Sequence, residues 1–411
     1  MSAAEVRTDK RRSPRLPREA DFWRLWLVGL VLFGVRWIEM LAIAVFAYQV
    51  SGSAFTVTML TMLRILPMAI FGAFLGATTD RIDRRAGLLV VLLTALLTSL
   101  TLAVLAISGA LEIWHLAVAC FVNGVGWATD NSLRRIMIGD VVGVDRMAVA
   151  MGLDAGANNA SRMVGPTIGG FLLAVAGIKG AFIVGALLYL VAILAAIGIR
   201  HRNHIALHPA GSVLARIRDS LNVVRQNRRL GYVFFVTAVY NIFGWPFLSL
   251  VPVIGQDNLR LGPEGIGLLA SMDGVGAVIG ATAVVFLAKP SHYTFIYVGS
   301  VILYMTTLVL FALMPQPVIA GFFLFLTGLG GSGFAVMQTT LIYRAVEPQM
   351  RARVLGLLSV CIGLGPIGFV QVGLLAEAVG AQRAIVIIGL EGLAVLLLVS
   401  SIWRPWRVTQ G

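Results

Sequence analysis

Long apolar runs recur at roughly residues 24–50, 54–78, 86–109, 112–135, 148–175, 178–199, 231–254, 264–288, 293–314, 317–343, 353–377 and 381–403, separated by short polar breaks. Each is close to the ~20 residues a helix needs to cross a hydrocarbon core, with length to spare for tilt. The pattern predicts twelve membrane-spanning helices, numbered here as spans 1–12. The longest break, residues 200–230, falls between spans 6 and 7 and divides them into two sets of six. The predicted fold is all-α and integral to a membrane, two six-helix bundles in sequence. Its parts are a basic tail (1–21), a first bundle (22–199), a linker (200–230), a second bundle (231–403) and a short tail (404–411).

Composition removes the soluble alternatives. Hydrophobic residues make up 58% of the chain and charged residues 12%, against about 45–50% and about 25% in soluble domains. Mean hydropathy is +0.90. The net charge of +13 is explained by where the cations fall. Of 32 lysines and arginines, 26 lie on the face shared by both termini; Lys179, Arg260 and Arg383 lie on the other, and Arg36, Arg64 and Arg162 fall inside spans. The positive-inside rule then places both termini in the cytoplasm and removes nucleic acid as the reason for the charge. The first run is too long for a signal peptide, lacks a small-residue cleavage site and reads as a retained helix. The two cysteines, Cys120 and Cys361, sit in spans and imply no disulfide framework. Residues 1–20 read as disordered. In the linker, Val213, Ile217, Leu221 and Val224 recur at helical spacing among arginines, as in a short amphipathic helix on the inner leaflet.

Between spans 2 and 3 lies the chain's densest charge cluster, Gly72-x3-Gly76-x3-Asp80-Arg81-Ile82-Asp83-Arg84-Arg85. It resembles the loop between helices 2 and 3 of major facilitator superfamily transporters. That resemblance implies a conformational latch made of Gly76, Asp80, Arg81, Arg84 and Arg85. Asp80 would meet the start of span 11 near Arg353–Gly356, and Arg81 or Arg84 would pair with Asp130 or Asp140. The latch would favour the outward-open state and break on inward opening. Asp83 stands where many members carry glycine, and the second half has no copy of the cluster.

Span 5 carries Gly152-x8-Ser161-x3-Gly165-Pro166-x2-Gly169-Gly170. This resembles the antiporter motif of the superfamily's drug-efflux branches, with Ser161 at a position usually held by glycine, and implies export over import. Pro166 removes a helix hydrogen bond and the glycines permit close packing. Gly365-Pro366-Ile367-Gly368 in span 11 is a weak internal repeat. The segment from Ala128 to Arg135 is similar to the branch of siderophore exporters and macrolide efflux proteins. Proton-driven drug exporters often carry an arginine where this chain has Cys120.

Charged groups inside spans are costly and face a cavity or one another. They concentrate in the first half: Arg36, Glu39, Arg64, Asp130, Asp154 and Arg162, against Asp273 and Glu391 in the second. Glu39 is the leading proton-coupling candidate, with Arg36 or Arg162 as the arginine it would leave and rejoin; Asp154 and Asp130 follow. A permanent structural ion pair is the competing reading. Spans 1, 4, 7 and 10 would line a central cavity. Trp37, Asn123, Trp127, Asn158, Tyr240, Asn241, Trp245 and Gln338 are its candidates, a set suited to a bulky amphipathic molecule. The same aromatics also serve packing.

No nucleotide loop, nucleophile motif or metal-ligand array is present, so neither an enzyme nor a cofactor is expected. His201, His204 and His208 read as solvated linker residues. The favoured reading is a monomeric, proton-coupled exporter of a drug or siderophore in a bacterial inner membrane. Its partners would be lipid, a small-molecule substrate and protons. An importer or facilitator of a small solute or metal on the same fold, and a transporter-like receptor or scaffold, remain open.

Overall fold

The computed structural model describes residues 19–78, 83–200, 224, 226–347, 350, 354, 358, 361 and 363–403. Among them every regular element is helical. The first helices are α1 (Ala20–Ser51), α2 (Ala54–Thr78), α3 (Arg84–Ile107), α4 (Ile113–Val142) and α5 (Met147–Ile197). Then come α6 (Arg228–Val239), α7 (Val251–Asp257), α8 (Pro263–Leu287), α9 (Tyr293–Leu313), α10 (Pro317–Ala345), α11 (Gly365–Val379) and α12 (Ala381–Trp403). The basic tail, linker residues 201–223 with the three histidines and most of the expected amphipathic helix, and Asp80, Arg81, Arg353, Leu355 and Gly356 of the expected latch lie outside this description, while Gly76 falls within α2.

α5 is 51 residues long but not one rod. Gly177, with φ 67° and ψ −174°, breaks it into two limbs in a backbone region that favours glycine. The break falls between the runs assigned to spans 5 and 6. Span 7 is less regular than its hydropathy suggests. α6 passes through a π turn at Tyr240–Gly244 and a 3-10 segment at Trp245–Leu250 before α7. Pro246 and Pro252 cannot donate to the helical ladder, which accounts for the irregular stretch.

Nine described helical segments are long and apolar enough to cross a membrane, α6–α7 counting as one and α5 as one. α4 is not among them; it carries Asn123, Asp130, Arg134, Arg135 and Asp140. On α3, Val90, Leu93, Leu97, Leu100 and Val104 form an exposed stripe at three- and four-residue steps. Such a stripe is a liability in water and suits a lipid-facing wall.

The helices pair in two groups. α1 packs on α5, α2 on α4, and α3 on both α4 and α5; in the second group α10 packs on α8 and α9, and α12 on α9. Two seams join the groups, α5 against α8 and α2 against α11. The first is a backbone contact. A Cβ on Gly170 would lie 2.3 Å from the Pro263 carbonyl oxygen, and one on Gly267 2.5 Å from that of Pro166. Thr167 and Ser271 add a hydroxyl hydrogen bond of 2.7 Å. At the end of the molecule away from Glu19 and Arg200, the Tyr48 hydroxyl donates to Asp257, and Ser53 Oγ to Glu377 Oε2 at 3.0 Å. Toward the end bearing Glu19 and Arg200 the α5–α8 contact stops. A Cβ on Gly152 or Gly156 of α5 would meet nothing within 4 Å. Among the described residues, the Tyr48–Asp257 and Ser53–Glu377 contacts join the groups at one end, and at the other, here the parted end, α5 has open space beside Gly152 and Gly156.

The parted end is also the one tied by surface ion pairs. Arg146 meets Glu19, and Arg84 Nη1 lies 2.5 Å from Asp140 Oδ2. Of the two α4 acids expected for it, Arg84 therefore meets Asp140. Arg85 donates to the Ile197 carbonyl. Asp83 caps α3, accepting from the backbone N–H of Arg85 (2.9 Å) and Ala86 (3.3 Å). An acid in place of the usual glycine thus satisfies two otherwise unpaired donors of the helix start.

Candidate transport site

Glu39 of α1 is 1% exposed and is contacted from three other helices. Ser99 of α3 donates to Oε1 at 2.6 Å. Arg64 of α2 approaches Oε2 at 3.5 Å and Asn123 of α4 at 3.4 Å. Arg64 reaches this point because α2 and α4 touch through backbone. A Cβ on Gly124 would lie 2.4 Å from the Arg64 carbonyl oxygen. Arg64 Nε and Nη1 are buried without a hydrogen-bond partner among the described residues. The arginines expected beside Glu39 are elsewhere. Arg36 lies over the Trp127 ring, 4.3 Å from its centroid, with Phe33 at 5.4 Å, and Arg162 faces the other helix group. Spacing along α1 put Arg36 within a turn of Glu39, but the cation–π surface of Trp127 takes it. Arg36, Arg64, Asn123, Trp127, Asp130 and Tyr189 line one cleft inside the first group.

A second charged cluster lies one layer nearer the parted end. Arg134 of α4, wholly buried, donates from Nε to Asp130 Oδ1 at 3.2 Å and from Nη1 to Asp154 of α5. Its guanidinium also stands 4.8 Å from the Phe33 ring. Arg134, one of the 26 cations counted on the face shared by both termini, lies buried inside α4 instead. α4 continues to Val142, and the apolar Ile136, Met137 and Ile138 after the arginine pair are the signal that the helix has not ended. One cation is thereby removed from the surface tally.

Arg162 forms the third element, an ion pair across the α5–α8 seam. Its Nε donates to Asp273 Oδ2 at 2.7 Å, and Nη2 lies 2.5 Å from the same oxygen. Trp37 stands 5.9 Å beneath the guanidinium. The glycine motif around it works as packing. Gly165 and Gly169 face α1 at Trp37 and Ile38, Gly170 faces α8, and Ser161 is buried against α1.

The expected cavity residues divide. Trp37, Asn123, Trp127, Asn158, Tyr240 and Trp245 are half-buried. Tyr240 stacks on Phe334 at 4.0 Å, and Trp245 meets Phe369 edge-on. Asn241 and Gln338 are buried and bonded inside their own group, to the Thr237 carbonyl (2.8 Å) and hydroxyl (2.7 Å). Glu391 of α12 accepts from Gln371 at 2.6 Å. Among the described residues no cluster of histidine, cysteine and acidic side chains could hold a metal ion.

Known proteins are similar to this one over most of its length. A family model described as transmembrane secretion effector matches residues 15–407. Macrolide efflux protein A of Streptococcus pyogenes is 23% identical over 376 residues, 88% of this chain and 91% of that protein. The staphyloferrin A transporter of Staphylococcus aureus is 21% identical over 387 residues, 92% and 96% of the two chains. Among solved structures, a bacterial homologue of the human lysosomal transporter Spinster superposes with a TM-score of 0.74 at 13% identity. The match covers 96% of this chain and 99% of that one, and the homologue was solved inward-facing and unoccupied. These matches agree with the helical, lipid-compatible fold, and the chain belongs to the transmembrane secretion effector family, membrane transporters of the major facilitator superfamily.

Proposed function

We propose that the protein is a proton-coupled exporter of an amphipathic small molecule, working by alternating access in a bacterial inner membrane. Glu39 is the coupling carboxylate. The observation that carries this is its setting: a buried acid on α1, reached by groups from α2, α3 and α4, with Arg64 held at a loose 3.5 Å. A proton arriving at Glu39 cancels the attraction to Arg64, and shifts of α1 against α2 and α4 change the same contact. Protonation and helix packing are thereby linked. Export is supported by relatives named for efflux and by the glycine motif of α5.

The wider reading is a twelve-crossing fold of two bundles, residues 22–199 and 231–403, with both termini cytoplasmic. Dividing α5 at Gly177 and adding α4 and α11 to the nine apolar segments supports that count. Loop cations support the orientation. The parted end then faces the cytoplasm, as an exporter awaiting its substrate requires.

The test is uptake into inside-out vesicles with an acid lumen, using a macrolide and staphyloferrin A as probes. Export predicts gradient-driven accumulation of at least one, abolished in Glu39→Gln. Gradient-driven loss from preloaded vesicles would overturn it.

A further inference from the structure

The α5–α8 seam ends, toward the open gap, on the Arg162–Asp273 pair, and the two partners are not equally hidden. The Arg162 side chain is 19% exposed and that of Asp273 is 3% exposed. Asp273 Oδ1 is turned into the protein and has no partner among the described residues. A molecule entering the gap therefore meets the guanidinium first. Asn158 and Asn159, four and three residues before Arg162 on α5, are half-buried, and neither side chain is bonded to another described residue. The Trp37 ring stands 5.9 Å from the Arg162 guanidinium and Tyr240 lies near it, and Trp37 Nε1 is another buried donor with no partner among the described residues.

The remaining interior acids do not offset this charge in the gap. Glu39, Asp130 and Asp154 are buried in the first group, and Glu391 is held by Gln371 on α12. Among the described residues, the end of the seam thus carries a partly exposed cation, Arg162, with the Trp37 ring 5.9 Å from its guanidinium. A guanidinium fork matches a carboxylate with two parallel hydrogen bonds, as the Asp273 carboxylate already shows in kind, and a charge-assisted pair of this sort is strong where water is scarce.

We propose that the transported molecule is an organic anion whose carboxylate takes the place of Asp273 on Arg162, with the Asn158 and Asn159 amides as further donors. This rests on the exporter reading and adds a substrate class to it. The exchange also acts on the seam, because the displaced contact ties the two helix groups together. Binding leaves Asp273 buried without its partner, a cost the incoming carboxylate must overcome. Removing the internal competitor should therefore tighten binding, the reverse of what a purely structural pair would show.

The experiment uses two probes with one fluorophore and opposite charge, dansylglycine (a carboxylate) and dansylcadaverine (an ammonium), titrated onto the purified full-length protein in nanodiscs. The expected result is that Asp273→Asn binds dansylglycine about tenfold more tightly than the unaltered protein. The double variant Arg162→Gln/Asp273→Asn, which leaves no buried charge unpaired, should lose at least about tenfold relative to Asp273→Asn. Dansylcadaverine should respond to neither change. Equal or weaker dansylglycine binding in Asp273→Asn overturns the proposal, as does a dansylcadaverine site that Asp273→Asn abolishes. Glu39-dependent, gradient-driven uptake of any probe into vesicles would leave the exporter reading standing after such a failure. Carboxylate-selective binding without gradient-driven movement would remove the exporter reading instead.

Discussion

Arg64 on α2, not Arg36 on α1, meets Glu39, with Nη2 3.5 Å from Oε2. Arg36 is occupied by the Trp127 ring. The separation is at the outer limit of a hydrogen bond, while Ser99 holds the other carboxylate oxygen at 2.6 Å. Glu39 is thus fixed from one side and loosely tethered from the other.

Glu39→Gln should keep substrate counterflow between equal compartments, because a neutral side chain can still accept from Ser99. It should lose acceleration by a pH gradient. Counterflow and gradient-driven uptake in the same proteoliposomes separate the two; loss of both would point to a structural role.

Arg64→Gln strands Glu39 in the interior. Breaking a buried pair from one side costs about 3–5 kcal/mol, so the unfolding midpoint in detergent should fall clearly. Arg64→Gln/Glu39→Gln should recover most of the loss. No recovery would mean that Arg64 is needed for its packing alone.

Arg134 supports two acids at once, Asp130 and Asp154. Arg134→Met should destabilise the protein by at least about 3–5 kcal/mol. The triple change Asp130→Asn/Arg134→Met/Asp154→Asn should regain part of it. Urea titration of the detergent-solubilised protein, followed by tryptophan fluorescence, measures both.

Asp83→Ala should cost about 1 kcal/mol through loss of the α3 cap, whereas Asp83→Asn should be nearly neutral. The latch neighbours Arg84 and Arg85 are unchanged in both variants. A transport defect in Asp83→Asn, without loss of stability, would assign Asp83 a role beyond capping.

The helices were legible wherever a long apolar run ended in polar or glycine-rich sequence, as at Gly177. The irregular course of span 7 was also written in the chain, in Pro246 and Pro252, but hydropathy averages over such residues. The pairings were harder to read. Glu39 and Arg64 are 25 positions apart, Arg134 and Asp154 are 20, and Arg162 and Asp273 are 111. Which of several buried charges meet depends on how closely helices cross, and that is set by contacts such as Gly124 against the Arg64 carbonyl. Helical spacing ranks neighbours on one helix only, which is why it favoured Arg36. The seam at Gly170 and Gly267 was half visible. The glycine pattern announced a close contact, but nothing in it named α8 as the partner.

The central claim, export coupled to a proton at Glu39, is tested most directly by proton movement itself. Inside-out vesicles with an acid lumen and a lumenal pH dye would be given whichever of the macrolide or staphyloferrin A is accumulated. The account predicts lumenal alkalinisation as substrate enters, absent in Glu39→Gln although that variant still exchanges substrate. Substrate entry with no proton exit, or an unchanged signal in Glu39→Gln, would contradict it.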